Sequence, residues 1–199
     1  FFFQMEMAAQ KRKHQRDFQS YAFPEVGDIF NRFYKEVLPF ELTGAQKRVL
    51  KEIRSDIRYG KHMNRLLQGD VGSGKTMVAL MSMLIAIDNG FQACLMAPTE
   101  ILAQQHFLGI SELVADLPLE VALLTGSVKT ADRKVIHQKL EDGSLHILIG
   151  THALLEDKVK YQNLGMAVVD EQHRFGVAQR AKLWKKNKLP PHILVMTAA

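Results

Sequence analysis

The run Gly69-Asp70-Val71-Gly72-Ser73-Gly74-Lys75-Thr76 sets glycines, an ammonium and a hydroxyl at the spacing that wraps a phosphate chain. It fits the pattern G-x-x-x-x-G-K-[ST] at every fixed position. Gly69, Gly72, Ser73 and Gly74 let the backbone curl so that its N–H groups converge on anionic oxygens. Lys75 brings a positive charge to the β- and γ-phosphates, and Thr76 offers a hydroxyl to Mg²⁺. A second chemical cluster closes the apolar run Met166-Ala167-Val168-Val169 with the carboxylates Asp170 and Glu171. Asp170 suits a hard cation such as Mg²⁺, and Glu171 is placed to polarise an attacking water. Together these imply binding, and with Glu171 hydrolysis, of a nucleoside triphosphate.

Such groups must be held by rigid elements. Asn64–Gln68 reads as a strand entering the glycine loop, and Met77–Ile87 as the helix leaving it, its N-terminus facing the anion. Further short apolar runs appear at 92–97, 121–125, 147–150, 166–170 and 193–197. They are continuous rather than alternating, as in parallel strands covered on both faces. Helical stretches lie between them at 75–89, 99–117, 130–141 and 177–186, with Asn89-Gly90 and Asp142-Gly143 as stops. The expected fold is therefore α/β, a mostly parallel central sheet flanked by helices. In such a sheet, ligands gather beyond the carboxyl ends of the strands, where both clusters fall.

Upstream, residues 1 to about 20 read as a helix, apolar at first and then strongly charged. Asp28 is expected to cap a short helix through Leu38, which stops at Pro39. Thr43 followed by Gln46 is a capping-box signature for a helix to about Tyr59, closed by Gly60.

Composition narrows the class. The 199 residues are 47% hydrophobic, enough to bury a core, and no apolar segment is long enough to span a membrane. The single cysteine, Cys94, sits in an apolar run, so it is expected as a buried strand residue in a reducing, cytoplasmic setting. The histidines show no ligand spacing with it, and no zinc is expected. The net charge of +5 permits a nucleic-acid partner without requiring one. Its surplus is local, at Lys11-Arg12-Lys13 with Arg16 and at Arg180, Lys182, Lys185, Lys186 and Lys188. Taken alone, each cluster reads first as a solvated helix face.

The segment Asp170-Glu171-Gln172-His173-Arg174-Phe175-Gly176-Val177 resembles the Asp-Glu motif of RecG-type branch-migration DNA helicases. Other stretches follow in the order of that family: the glycine loop, Ala97-Pro98-Thr99-Glu100 through His106, Leu124-Thr125-Gly126-Ser127, Ile149-Gly150-Thr151-His152, and Met196-Thr197-Ala198. The resemblance covers residues 39–199 and implies a RecA-like motor domain driven by ATP and Mg²⁺. It implies that Gln46 reads adenine, with Phe40 packing either on the ring or in the core. It also implies that Pro98, Thr99, Glu100, Thr125, Gly126 and Thr151 line a DNA track, an ordinary capping role being open for each threonine. Gln172, His173 and Thr197 would couple nucleotide state to DNA grip.

By the same resemblance, residues 1–38 derive from a helical connection to a wedge domain. A second motor domain of the parent chain would supply an arginine to the γ-phosphate, a group worth on the order of 10³–10⁵ in rate. Duplex and branched DNA, including forks, are the implied partners of a monomeric motor. Alternatives are the translocase of transcription-repair coupling and a nucleotide-gated DNA-binding module without turnover. A GTPase fits less well, since Asn187-Lys188-Leu189-Pro190 has Pro where base recognition wants Asp.

Overall fold

The computed structural model describes residues 5–8 (backbone only), 19–70, 74–170 and 176–198. Its strands are β1 (Met5–Ala8), β2 (Asn64–Gly69), β3 (Gln92–Met96), β4 (Val121–Leu124), β5 (Ile147–Gly150), β6 (Leu164–Asp170) and β7 (His192–Thr197). They form one seven-stranded sheet in the order β1-β2-β7-β6-β3-β5-β4. Every pairing from β2 to β4 across the sheet is parallel, and only β1 runs antiparallel, alongside β2.

The helices are α1 (Asp28–Arg32), α2 (Gly44–Ile57), α3 (Lys75–Asp88), α4 (Glu100–Leu113), α5 (Thr130–Asp142) and α6 (Val177–Trp184). Successive strand residues point to opposite faces, and the chain uses both. Ala93, Leu95, Ile147, Ile149, Met166 and Val168 pack toward the layer that holds α2, α3 and α4. Their neighbours Cys94, Leu148, Ala167 and Val169 pack with Leu140 of α5 and Leu183 of α6 on the other face. A continuous apolar strand is what two covered faces demand. Helix α3 is buried from Met77 through Ile87, so it is apolar all round because α1 and α2 cover the side the sheet does not.

The capping box at Thr43 is present: the Gln46 N–H donates to Thr43 Oγ1 at 3.1 Å and Gln46 Oε1 accepts the Thr43 N–H at 2.9 Å. Helix α4 stops at Leu113, earlier than the expected 117. Leu117 precedes a proline, which disfavours helical backbone, and Val114 and Leu117 turn into the core instead.

Two upstream expectations need correction. Within the helix expected over residues 1 to about 20, Met5–Ala8 form a strand that continues the sheet past β2; pairing with an open edge outweighs local helical pattern. Asp28 is not the cap of α1. Gly27 occupies that position without a side-chain bond, and Asp28 is the first helical residue. The cap comes from α3: the Asp88 carboxylate accepts N–H bonds from Gly27 (3.0 Å), Ile29 (3.1 Å) and Phe30 (3.0 Å). Beyond Arg32 the helix widens into a π-turn over Phe33–Val37, with the Leu38 N–H donating to the Phe33 carbonyl.

These bonds are part of a seam fastening the upstream segment to the sheet domain. Asn89 Nδ2 donates to the Glu25 carbonyl at 2.8 Å, and the Phe23 N–H to the Ile57 carbonyl at 2.9 Å. His192, fully buried at the start of β7, accepts the Met63 N–H on Nδ1 at 3.0 Å and donates from Nε2 to the Tyr21 carbonyl at 2.6 Å.

Candidate nucleotide site and nucleic-acid track

Strand β2 delivers Gly69 to the carboxyl edge of the sheet, and α3 begins at Lys75. Gly74 is the N-cap of α3, with φ of +81°, a left-handed conformation that glycine adopts without strain. No described side chain caps this helix end, so its first-turn N–H groups remain available to an anion. Val71, Gly72 and Ser73 lie outside the described residues. The Lys75 ammonium donates to the Gly69 carbonyl and, at 3.3 Å, to the Asp70 carbonyl, so it is folded onto its own loop.

The capping box brings Gln46 to the loop from the start of α2. A Cβ on Gly74 would lie 2.1 Å from Gln46 Nε2 and would sit on a backbone with φ of +81°, so a side chain there would both displace Gln46 and strain the turn. Gln46 is buried, whereas Phe40, a few residues upstream, is 49% exposed and therefore available to a flat ligand rather than part of the core.

Strand β6 ends at Asp170 on the same edge, with β7 between it and β2. The registers pair Gln68 with Thr197 and Asp170 with Met196. At the usual strand spacing the tips of β2 and β6 stand about 10 Å apart, a gap a metal-bound triphosphate can bridge. Thr197 sits on the strand between them, its hydroxyl donating to the Ala198 carbonyl at 3.1 Å. Glu171, Gln172 and His173 lie outside the described residues.

One contact was not foreseen. His106 Nε2 lies 2.8 Å from Asp170 Oδ2, with both side chains largely buried. A signal for it existed in the sequence: His106 stands three residues after Ala103 and four before Ile110, the two buried positions of α4, so it shares their sheet-facing stripe.

The candidate nucleic-acid residues gather along the other half of this edge, at the ends of β3, β4 and β5. Thr99 caps α4, its hydroxyl accepting the Leu102 N–H at 3.2 Å. Glu100, the first residue of that helix, lies against Gly126: a Cβ there would stand 3.2 Å from Glu100 Oε1. Thr125 is fully buried and its hydroxyl pairs with Ser127 Oγ at 3.1 Å, so the exposed surface of this loop is offered by Gly126 and Ser127. Arg133, also unforeseen, braces the loop by donating to the Thr125 carbonyl at 3.0 Å. Thr151 precedes a 3₁₀ turn over His152–Leu155, and Pro98, just past the end of β3, is half-buried. Gly150 is obligatory for another reason: a Cβ would fall 2.1 Å from the Leu124 carbonyl of β4.

Cys94 is inert. Burial pushes its thiol up to about 12, in a pocket shared with Tyr161, so it supplies no nucleophile. No helix among the described residues is long and apolar enough to cross a membrane.

A family model described as DEAD/DEAH box helicase matches residues 43–199. The chain is 48% identical over its whole length to the ATP-dependent DNA helicase RecG of Synechocystis sp., covering 24% of that protein. It is 47% identical to the RecG of Aquifex aeolicus, covering all of this chain and 25% of the relative. The chain thus spans about a quarter of the length of these curated relatives. Among solved structures, one described as RecG bound to a three-way DNA junction superposes with a TM-score of 0.77 at 43% identity, covering 89% of this chain and 24% of the other. The DNA-bound helicase MrfA matches at a TM-score of 0.65 and 17% identity over 98% of this chain and 29% of the other, a likeness of fold alone.

Proposed function

The chain belongs to the DEAD/DEAH box helicase family, and from that membership we propose that residues 39–199 are the first motor domain of an ATP-driven, RecG-like translocase acting on branched DNA. The observation that carries this reading is the convergence of the glycine loop and Asp170 on one sheet edge, with the candidate DNA residues along the rest of it.

In this reading Lys75 exchanges the Gly69 and Asp70 carbonyls for phosphate oxygens, a charge-assisted contact stronger than the one it gives up. Gln46 and Phe40 meet the base from the mouth of α2. The donor set, a threonine hydroxyl at the start of α3 and a carboxylate at the tip of β6, is hard oxygen and fits Mg²⁺. Thr76 and Asp170 would hold that ion, which neutralises charge developing on the phosphates. Glu171 orients and polarises the attacking water. Phosphate contacts by the N-terminus of α4 and the backbone of Gly126 would hold DNA without reading its sequence.

The test is phosphate release without DNA, with linear duplex and with a branched junction, for the parent, Glu171→Gln and Lys75→Ala. We expect slow release, because the arginine of a second motor domain is not supplied by these residues, stimulated by DNA and lost in Glu171→Gln. Lys75→Ala should lose ATP binding and keep its fold, because the Lys75 ammonium bonds only loop carbonyls among the described residues. Release indifferent to both DNA and Glu171 would remove the motor reading.

A further inference from the structure

The contact between His106 and Asp170 links the two halves of the edge. The contact is satisfied with the hydrogen on His106 Nε2, donated to Asp170 Oδ2. That fixes the rotation of the carboxylate and leaves Oδ1 as the oxygen it offers to a cation. His106 lies on α4, which is anchored to the sheet by Ala103 and Ile110. The same helix begins with Thr99 and Glu100, and Glu100 touches the Gly126 loop. At 1.5 Å per residue, Glu100 and His106 are about 9 Å apart along one rigid rod. A shift of the helix start by a phosphate backbone therefore reaches the Asp170 carboxylate with no intervening joint.

We propose that His106 is a positioning residue, which sets the orientation of Asp170 toward the metal-bound nucleotide and passes to it the position of α4 on nucleic acid. The proposal rests on the ATP-site reading above. Its route differs from the candidate coupling through Gln172, His173 and Thr197, since it runs through the helix that follows β3 rather than through the residues that follow Asp170 in sequence and the end of β7.

The test measures binding of a fluorescent ATP analogue to the chain while Mg²⁺ is titrated, together with the melting temperature and DNA-stimulated phosphate release. The variants are His106→Ala, His106→Gln and, as the control for the site itself, Lys75→Ala. Removing a hydrogen-bond partner of a metal ligand typically costs 10–100-fold in metal affinity. We expect His106→Ala to raise the half-saturating Mg²⁺ concentration by about tenfold or more, to leave metal-free analogue binding and melting temperature near the parent's, and to blunt stimulation by DNA. His106→Gln, whose amide can donate to the same oxygen, should recover most of the loss.

An Mg²⁺ titration of His106→Ala that overlays the parent's would overturn the proposal while leaving the ATP site intact. So would a loss of metal-free binding and melting temperature that His106→Gln does not repair, since that marks a merely structural residue. A parent that binds the analogue no better than Lys75→Ala would instead overturn the ATP-site reading, and this proposal with it.

Discussion

Acidification should loosen the seam between the upstream segment and the sheet, and His192 is the group through which it acts. Its ring is fully buried, Nδ1 accepts the Met63 N–H, and Nε2 donates to the Tyr21 carbonyl, so both nitrogens are committed to the neutral form. Burial lowers its pKa from the ordinary 6.5 to about 4, opposed in part by the Tyr21 bond and assisted by His62, stacked 6.1 Å away. Below 6.5 the unfolded chain takes up a proton that the folded chain refuses. The stabilisation is thus complete above that value and is lost as pH falls toward 4. Linkage over a shift from 6.5 to about 4 gives a loss on the order of 2.5 kcal/mol between about pH 8 and about pH 4.5. His62 and His146 are also lowered by burial and add to the slope with the same sign. Asp142 is held below its ordinary 3.8, so its contribution is lost only in stronger acid. Urea unfolding followed by fluorescence of Trp184, whose ring lies 5.1 Å from that of His62, reads the loss directly. His192→Asn keeps an acceptor for Met63 and cannot protonate, so it should be less stable at neutral pH and show a shallower pH slope. If parent and variant lose the same stability over this window, the assignment to His192 is wrong.

Two further substitutions test the packing around the site. Asp88→Ala removes the acceptor shared by Gly27, Ile29 and Phe30, and should weaken α1 locally by about 2 kcal/mol. Amide exchange at Ile29 and Phe30 should then quicken roughly 30-fold, and unchanged exchange would refute the clamp. Gly150→Ala drives a methyl group into the Leu124 carbonyl and should cost about 2 kcal/mol or more, a fall of roughly 4–8 °C in melting temperature. An unchanged melting temperature would show that β4 and β5 can part without cost.

The parallel sheet was legible because its strands are buried on both faces and therefore read as unbroken apolar runs. The run at 147–150 matches β5 residue for residue, and the other runs miss their strands only at the ends. The glycine loop was legible for a different reason: few sequences put glycines and Lys75 at that spacing by chance. What escaped is tertiary. Asp88 caps a helix some 60 residues upstream, and His106 meets Asp170 across 64 residues, so no local window contains either pair. The strand at Met5–Ala8 likewise depends on an edge offered by β2, which its own pattern does not encode. Thr125 shows the converse limit: a motif names a loop, but only packing decides which of its residues faces outward.

The loop after β2 and the acid at the tip of β6 are expected to serve one metal-bound triphosphate. A co-crystal of the chain with Mg²⁺ and a non-hydrolysable ATP analogue tests it most directly. The expected result is one ion at the phosphates, held by Thr76 and reached by Asp170 directly or through a single water, with Lys75 turned from its loop carbonyls onto phosphate. Nucleotide bound away from β2, or an ion that Asp170 does not approach, would contradict it.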